Sequence, residues 1–517
     1  MDPVSGPFFK IQDAIDQAKD DTIIKISSGL YKENLRITNK SISIQAREVD
    51  SEVTIHGNEG PTILIQNPQD KVVSIEGLKL THEGNPNREP PSPPSSRGFQ
   101  RTPGSSLEEI QSPKSSKKTP GSSIGDSKSP RSWSGTSHNS GSPRNPHSPR
   151  RLSWGSHNQR RFSWSSEASQ SDDGVPTFNR IEEYHIQFKR LDFSKDSDTV
   201  ILIKSGQLKI TNCKISLKLL ARQQSQLITQ GITLDKDSTA HIEGSKIVGS
   251  DSFNTTGIAL RMANLLMINS IVKKHKSGGI MMYQKQHNKA KIFKSRIIKN
   301  SSFGVQALGC SESPYIQSCE IQDNQGPGIQ ICVSNKGTFR KNLIKKNTTG
   351  IHLISSDPKI LENEIQANSE NGVLVSAIEA LICQPKIWKN SISENSKNGI
   401  LCKGTICIPQ IRHNQISKNL KAGVLIKDNS GHSTIVQNHI HANGCQGIKL
   451  DKGVSAHIER NMIQDNKNAN ILFGGKNSEN TMIIDNRIFG GNYPEFGSST
   501  AGRPGSSETA SITTKRE

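Results

Sequence analysis

The sequence predicts an all-β fold, a right-handed parallel β-helix: a solenoid with coils of roughly 24 residues, a short N-terminal cap helix and one long disordered insertion. Three observations predict it. A Gly-Ile/Val pair recurs at Gly231, Gly257, Gly279, Gly304, Gly328, Gly350, Gly372, Gly399, Gly423 and Gly447, and degenerates to Asn470-Ile471. A second motif, Asn-x-Ile-x-x-Asn, precedes most of these glycines. It begins at Asn342, Asn363, Asn390, Asn414, Asn438 and Asn461, with Cys319-Glu320-Ile321 as a variant. Hydrophobic residues are only 31% and aromatic residues 4% of the chain, too little for a wide globular core but enough for a thin aliphatic tube. A leucine-rich repeat shares the period, but it needs leucines where this array carries isoleucine, valine and paired asparagines.

The elements follow in order. In residues 1–83, Phe8, Ile11, Ile15 and Ala18 recur at helical spacing and predict a cap helix. Strand-like runs follow at Thr22–Ile26, Leu35–Ile37, Ile42–Ile44, Val53–Ile55, Ile63–Ile65 and Val72–Ile75. Residues 84–176 are rich in Ser, Pro, Arg and Gly and have no apolar period, so they predict a disordered insertion. Residues 177–496 are the main repeat array, and 497–517 a disordered tail. About sixteen coils at roughly 4.8 Å each predict a rod on the order of 75 Å long.

Strand alternation puts the isoleucine of each Asn-x-Ile-x-x-Asn, and the residue two before it, on the inward face. The second asparagine is expected in the turn, adopting positive φ and stacking into a hydrogen-bonded ladder. The glycine is expected to let the chain bend without a Cβ penalty.

The formal charge is +19. Between Arg88 and Arg161 there are 13 Lys/Arg and four acids, so about half of that excess belongs to the insertion. The first ten residues lack the pattern of a secretory signal, and no apolar run is long enough to span a membrane. The eight cysteines form no CxxC pair and are expected to be reduced thiols. A cytoplasmic location is expected, with cytoskeletal association or a nuclear location as variants of that reading, rather than secretion.

The Gly-Ile-x-Leu and Asn-x-Ile-x-x-Asn coils, with Ile11-Gln12-x-Ala14-Ile15 and Ser28-Gly29-Leu30-Tyr31-x-Glu33, resemble the pectin-lyase-like β-helix repeats. They are most similar to the intracellular eukaryotic branch, namely the β-helices of the F-box only protein eleven type and of Shc-binding-protein relatives. The resemblance covers residues 8–83 and 178–496, and it implies a fold shared by lyases, epimerases and non-catalytic binding modules. The chain departs from the F-box members in having no room for an F-box before the first coil.

No catalytic constellation is recognised. The resemblance implies Asn-Thr-Asp, Asp-Asp and Gly-His-Gly motifs in polygalacturonase-type members, and only Gly431-His432-Ser433 echoes one of them. Asp235/Asp237 and Glu362/Glu364 have the i, i+2 spacing of carboxylates on one strand face, but they belong to distant coils. His439 and His441 flank an inward Ile440, with His432 and His457 nearby, but no carboxylate or cysteine completes a zinc spacing. No cofactor and no metal are expected.

The expected partner-binding face is basic: Lys294, Arg296 and Lys299 in one coil, and Arg340, Lys341, Lys345 and Lys346 two coils on, with Lys289 and Lys291 beside them. In the insertion, Arg150-Arg151-Leu152-Ser153-Trp154 and Arg160-Arg161-Phe162-Ser163-Trp164 are near-duplicates of the kind basophilic kinases recognise. Ser112, Ser129, Ser142 and Ser148 each precede a proline. These six serines are the expected phosphorylation sites. The function expected is a non-catalytic scaffold for protein–protein interaction, regulated through the insertion, with acidic or phosphorylated protein partners. Neither nucleic acid nor membrane insertion is expected. A carbohydrate-active lyase, hydrolase or epimerase is the first alternative, and a substrate adaptor of a ubiquitin ligase the second.

Overall fold

The computed structural model describes residues 8–48, 51–57, 60–82, 199–217, 229–250, 254–283, 289–309, 314–333, 336–378, 381–404, 406–428, 431–474 and 481–490, with the backbone of 495–496. All of them belong to one compact unit. The insertion at 84–176, the beginning of the array at 177–198, the tail and the six candidate serines lie outside the described residues.

The expected parallel β-helix is what forms. Each coil contributes one short strand to each of three sheets, here A, B and C, and each sheet has fifteen parallel strands rather than the sixteen coils expected. The stack runs through the insertion without a break. Val72–Glu76 pairs with Gln207–Thr211 in sheet A, Lys79–His82 with Lys214–Leu217 in sheet B, and Ile63–Gln66 with Thr199–Ser205 in sheet C. The chain therefore leaves the stack after the sheet B strand of the third coil and completes that same coil at Thr199.

Alternation builds the core. One or two inward side chains per strand stack on their counterparts in the next coil: Ile360 on Ile387, Ile365 on Ile392, Val373 on Ile400. All of these are fully buried. Each contributes about 1.5–3 kcal/mol of burial, most of it offset by the entropy of ordering the chain.

The cap helix is shorter than expected, Ile11–Gln17, and buries Ile11 and Ile15. Phe8 lies before the helix and is exposed, so it is not part of the apolar face. The helix start has no side-chain cap of its own. Glu33 supplies one: its two carboxylate oxygens accept from the backbone N–H groups of Ile11 and Gln12, each at 3.0 Å. The carboxylate satisfies orphan donors and faces the positive end of the helix. Glu33→Ala is expected to lower the stability of the first coils by about 1–2 kcal/mol, read as faster proteolysis near the N-terminus with the later coils unaffected.

The asparagines form two ladders. Asn342, Asn363, Asn390, Asn414, Asn438, Asn461 and Asn486 stack at the A-to-B turn. In each step the backbone N–H and the Nδ2 group both donate to the next Oδ1, at 2.9–3.0 Å. A second ladder, from Asn300 to Asn466, repeats this at the B-to-C turn. Upstream, serines Ser245, Ser270 and Ser295 take the first position, and buried His275 donates its backbone N–H to Asn300 in the second. Burial pushes the His275 imidazole down to about 4, so it is neutral.

Two expectations about turn chemistry need correcting. Positive φ belongs to the residue before each ladder asparagine, from Asp485 at 50° to Glu394 at 59°, while the asparagine itself folds inward. The repeated glycines are not there for bending. A Cβ on Gly304, Gly328, Gly350, Gly372, Gly399 or Gly423 would lie 2.5–2.8 Å from the carbonyl oxygen of the next glycine in the column. Close approach of coils excludes every side chain there.

None of the cysteines among the described residues is in a disulfide, and all but Cys445 are buried. Burial raises the thiols of Cys213 to about 11 and Cys319 to about 12, so these two are packing groups rather than nucleophiles. Among the described residues, no helix is long and apolar enough to cross a membrane.

Candidate functional site

With the core and the turns accounted for by stacking, the outward side chains of the three sheets remain. Sheet A is distinctive. Eight consecutive strands, from Asn264–Ile268 to His432–Val436, contain no aspartate or glutamate. Within them the outward positions of six adjacent strands form two columns. One holds Lys291, Tyr315, Thr338, Lys359, Lys386 and Gln410. The other holds Phe293, Gln317, Arg340, Leu361, Trp388 and Arg412. Parallel pairing sets neighbours in a column about 4.8 Å apart, so five cations and three aromatic rings share one pleated face.

The face has its own internal contacts. The rings of Phe293 and Tyr315 lie 5.7 Å apart, tilted by 54°. The Lys386 ammonium sits 5.3 Å from the centre of the Trp388 ring, within cation–π range. Arg340 donates three bonds to Glu362, at 3.0 and 3.2 Å from Nη2 and 3.3 Å from Nε. That guanidinium holds the Glu362 carboxyl below its ordinary range. Trp388 Nε1 and Arg412 Nε are buried without a hydrogen-bond partner among the described residues. Two donors left unmatched beside free cations are what a surface presents to an acceptor-rich ligand.

The basic residues singled out from sequence are not gathered on one face. Lys294, Lys299, Lys341 and Lys346 occupy positive-φ turn positions, Arg296 and Lys345 point outward from sheet B, and only Arg340 and the neighbouring Lys291 belong to sheet A. The coil between the two groups brings Glu320 to 2.7 Å from Arg296, and Glu362 lies 3.8 Å from Lys341. The stripe is therefore interleaved with acids, and the strands that carry cations without acids belong to sheet A.

The other candidates are also placed. Asp235 and Asp237 do not share a strand face: both follow the strand Thr229–Leu234, Asp237 has φ of 63°, and Asp235 accepts from Arg261 Nε at 2.7 Å. Glu362 is likewise a turn residue with φ of 56°, whereas Glu364 points outward from sheet B. His432 Nδ1 lies 3.3 Å from Ser455 Oγ, and His457 Nε2 2.9 Å from Glu459. His439 and His441 do point outward from sheet B, as alternation requires.

Sequence reasoning named Lys291 and Trp388 but missed Lys359, Lys386 and Arg412. A signal for them exists: Pro358-Lys359-Ile360-x-x-Asn363, Pro385-Lys386-Ile387-x-x-Asn390 and Pro409-Gln410-Ile411-x-x-Asn414 repeat one phase. That phase puts Lys359, Lys386 and Gln410 on one outward column, and Leu361, Trp388 and Arg412 on the next.

Comparison with known proteins agrees with this architecture. No curated protein matches the chain. Among solved structures, the chain is similar to the periplasmic alginate epimerase AlgG, at 15% identity and a TM-score of 0.42 over 56% of this chain and 77% of that one. It is also similar to the A-module of the Azotobacter vinelandii mannuronan C-5 epimerase AlgE4, at 13% identity and 0.36, covering 60% and 92%. The Dettilon tailspike protein follows at 13% and 0.30, covering 58% and 63%. No activity is transferred from these likenesses. The family described as right handed beta helix region matches residues 198–361 and 347–488, more than half of the chain. With three parallel sheets, inward aliphatic columns in each of them and two asparagine ladders, the chain belongs to the right-handed β-helix family.

Proposed function

We propose that this chain is a non-catalytic binding module whose sheet A face takes up an acidic stretch of a protein partner. The observation that carries the reading is the row Lys291, Arg340, Lys359, Lys386 and Arg412, on strands without aspartate or glutamate, with Trp388 among them and Arg340 alone of the five shown paired, to Glu362 in the adjoining turn. An extended acidic segment laid across successive coils meets a cation at nearly every step, and electrostatic complementarity of this kind steers encounter and sets register. The resemblance of the coils to intracellular binding modules supports the same reading, with a cytoplasmic location. In this reading the insertion tethers and regulates the partner. Phosphates on Ser153, Ser163, Ser112, Ser129, Ser142 or Ser148 would offset its positive charge and compete for, or release, the acidic partner.

A second reading, a carbohydrate-active enzyme, draws on the same row. A tryptophan platform beside cations at coil spacing also suits a uronate chain.

One experiment separates them. Full-length protein is titrated at low salt with poly-L-glutamate and with alginate, beside the variant Lys359→Glu/Lys386→Glu/Arg412→Glu. Binding of polyglutamate is expected to weaken by at least about tenfold in the variant, with the melting temperature unchanged, and to fade in wild type as salt shortens the screening length. Equal binding by both proteins would remove sheet A from the account. A change in the length or uronate composition of the alginate would establish the enzymatic reading instead.

A further inference from the structure

The outer face of sheet B carries a feature that neither stacking nor partner binding explains. The strand His439–His441 turns Ile440 into the core and both imidazoles outward. Their rings lie 4.3 Å apart at an interplanar angle of 31°. The Nε2 atoms of both rings are buried and have no hydrogen-bond partner among the described residues. Two buried nitrogens left unmatched cost free energy unless something takes their lone pairs.

The next coil supplies a third donor. Met462 is the register partner of His439, and Gln464 that of His441. The Met462 side chain is 36% exposed rather than packed inward. Adjacent strands set the Met462 backbone about 4.8 Å from that of His439, with both side chains on the outer face. On the preceding coil the register partners are Gln415 and Ser417, neither of them charged.

We propose that His439, His441 and Met462 form a copper-binding site on the outer face of sheet B. Imidazole nitrogens suit copper, zinc and nickel, and the divalent order of affinity favours copper over zinc at a nitrogen site. The thioether sharpens the choice, because soft sulfur donors select the cuprous ion. Among the described residues no three His, Cys, Asp or Glu side chains converge, so the thioether distinguishes this site from a zinc site built on those ligands. Asp465, in the turn of the next coil, adds a negative charge that acts on His441 and favours a cation, while Lys418 opposes it.

The test uses the full-length chain with accessible thiols alkylated beforehand, so that cysteine does not compete. Cupric ion is titrated and followed by electron paramagnetic resonance. One equivalent is expected, with hyperfine splitting from two nitrogens. His439→Gln/His441→Gln is expected to lose that signal without a change in melting temperature, whereas His432→Gln/His457→Gln on sheet A retains it. Under ascorbate, Met462→Leu is expected to weaken cuprous binding by about tenfold while cupric affinity stays within about threefold. Retention of the two-nitrogen signal by the His439→Gln/His441→Gln variant would overturn the site. Equal affinity for zinc, or a Met462→Leu variant that binds both oxidation states like wild type, would overturn its assignment to copper.

Discussion

Asn395→Ala is expected to be among the most destabilising single changes in the chain, lowering stability by about 3–5 kcal/mol. Asn395 Oδ1 accepts from the backbone N–H of Asn368 at 3.1 Å and from its Nδ2 at 2.9 Å. Its own Nδ2 donates to Asn419 Oδ1 at 2.9 Å and to the Ile365 carbonyl at 3.3 Å. Alanine removes all four bonds at a residue with no exposed surface. Water cannot replace them cheaply, and the stranded Asn368 donors keep the full cost of desolvation. The comparison residue is Asn486 at the end of the other ladder, where the same change also removes four bonds, but the site is 8% exposed, so water reaches the groups left behind and the cost is expected to be about half as much. Urea unfolding followed by circular dichroism reads both. Equal losses at the two positions would mean that the ladder bonds do not act as a buried network.

Gly350→Ala is expected to cost at least about 3 kcal/mol, for a different reason. Gly350 has no unusual backbone angle; the new Cβ would stand 2.5 Å from the Gly372 carbonyl oxygen and 2.6 Å from Ile365 Cγ2. The oxygen is held in the ladder of sheet C, where Ile351 donates its N–H to it at 3.0 Å, so relief requires opening two coils. Gly453 provides the contrast. Its φ is 78°, and a Cβ there meets nothing within 4 Å. Gly453→Ala is therefore expected to cost only about 1 kcal/mol, the conformational part of losing a glycine. A pair of melting curves separates close approach from backbone freedom, and a reversed ranking would contradict the packing described.

Much of this fold was legible in the sequence because a solenoid repeats its instructions. Each isoleucine, glycine and asparagine of the array is written about ten times, and the period survives local variation. What stayed hidden is what depends on register between coils. The left-handed residues before the ladder asparagines are as different as Lys341, Ala367 and Glu394, since the ladder imposes their conformation and their side chains carry no signal. The short strands Gly29–Tyr31 and Lys79–His82 carry too few apolar residues to announce themselves and are formed by pairing with their neighbours. The basic stripe looked continuous along the chain, but Glu320 and Glu362 reach across coils to Arg296 and Arg340. Lys359, Lys386, Trp388 and Arg412 became one surface only when the phase of each sheet A strand was known.

The claim that sheet A is the binding face rests most directly on Trp388, the only tryptophan among the described residues. With Trp133, Trp154 and Trp164 of the insertion replaced by phenylalanine, fluorescence of the full-length chain reports that one site. Titration with poly-L-glutamate is expected to change the Trp388 emission saturably, with the same midpoint as binding measured independently, and the change should vanish at high salt. Binding that leaves Trp388 emission unchanged would place the acidic partner elsewhere on the molecule and contradict the account.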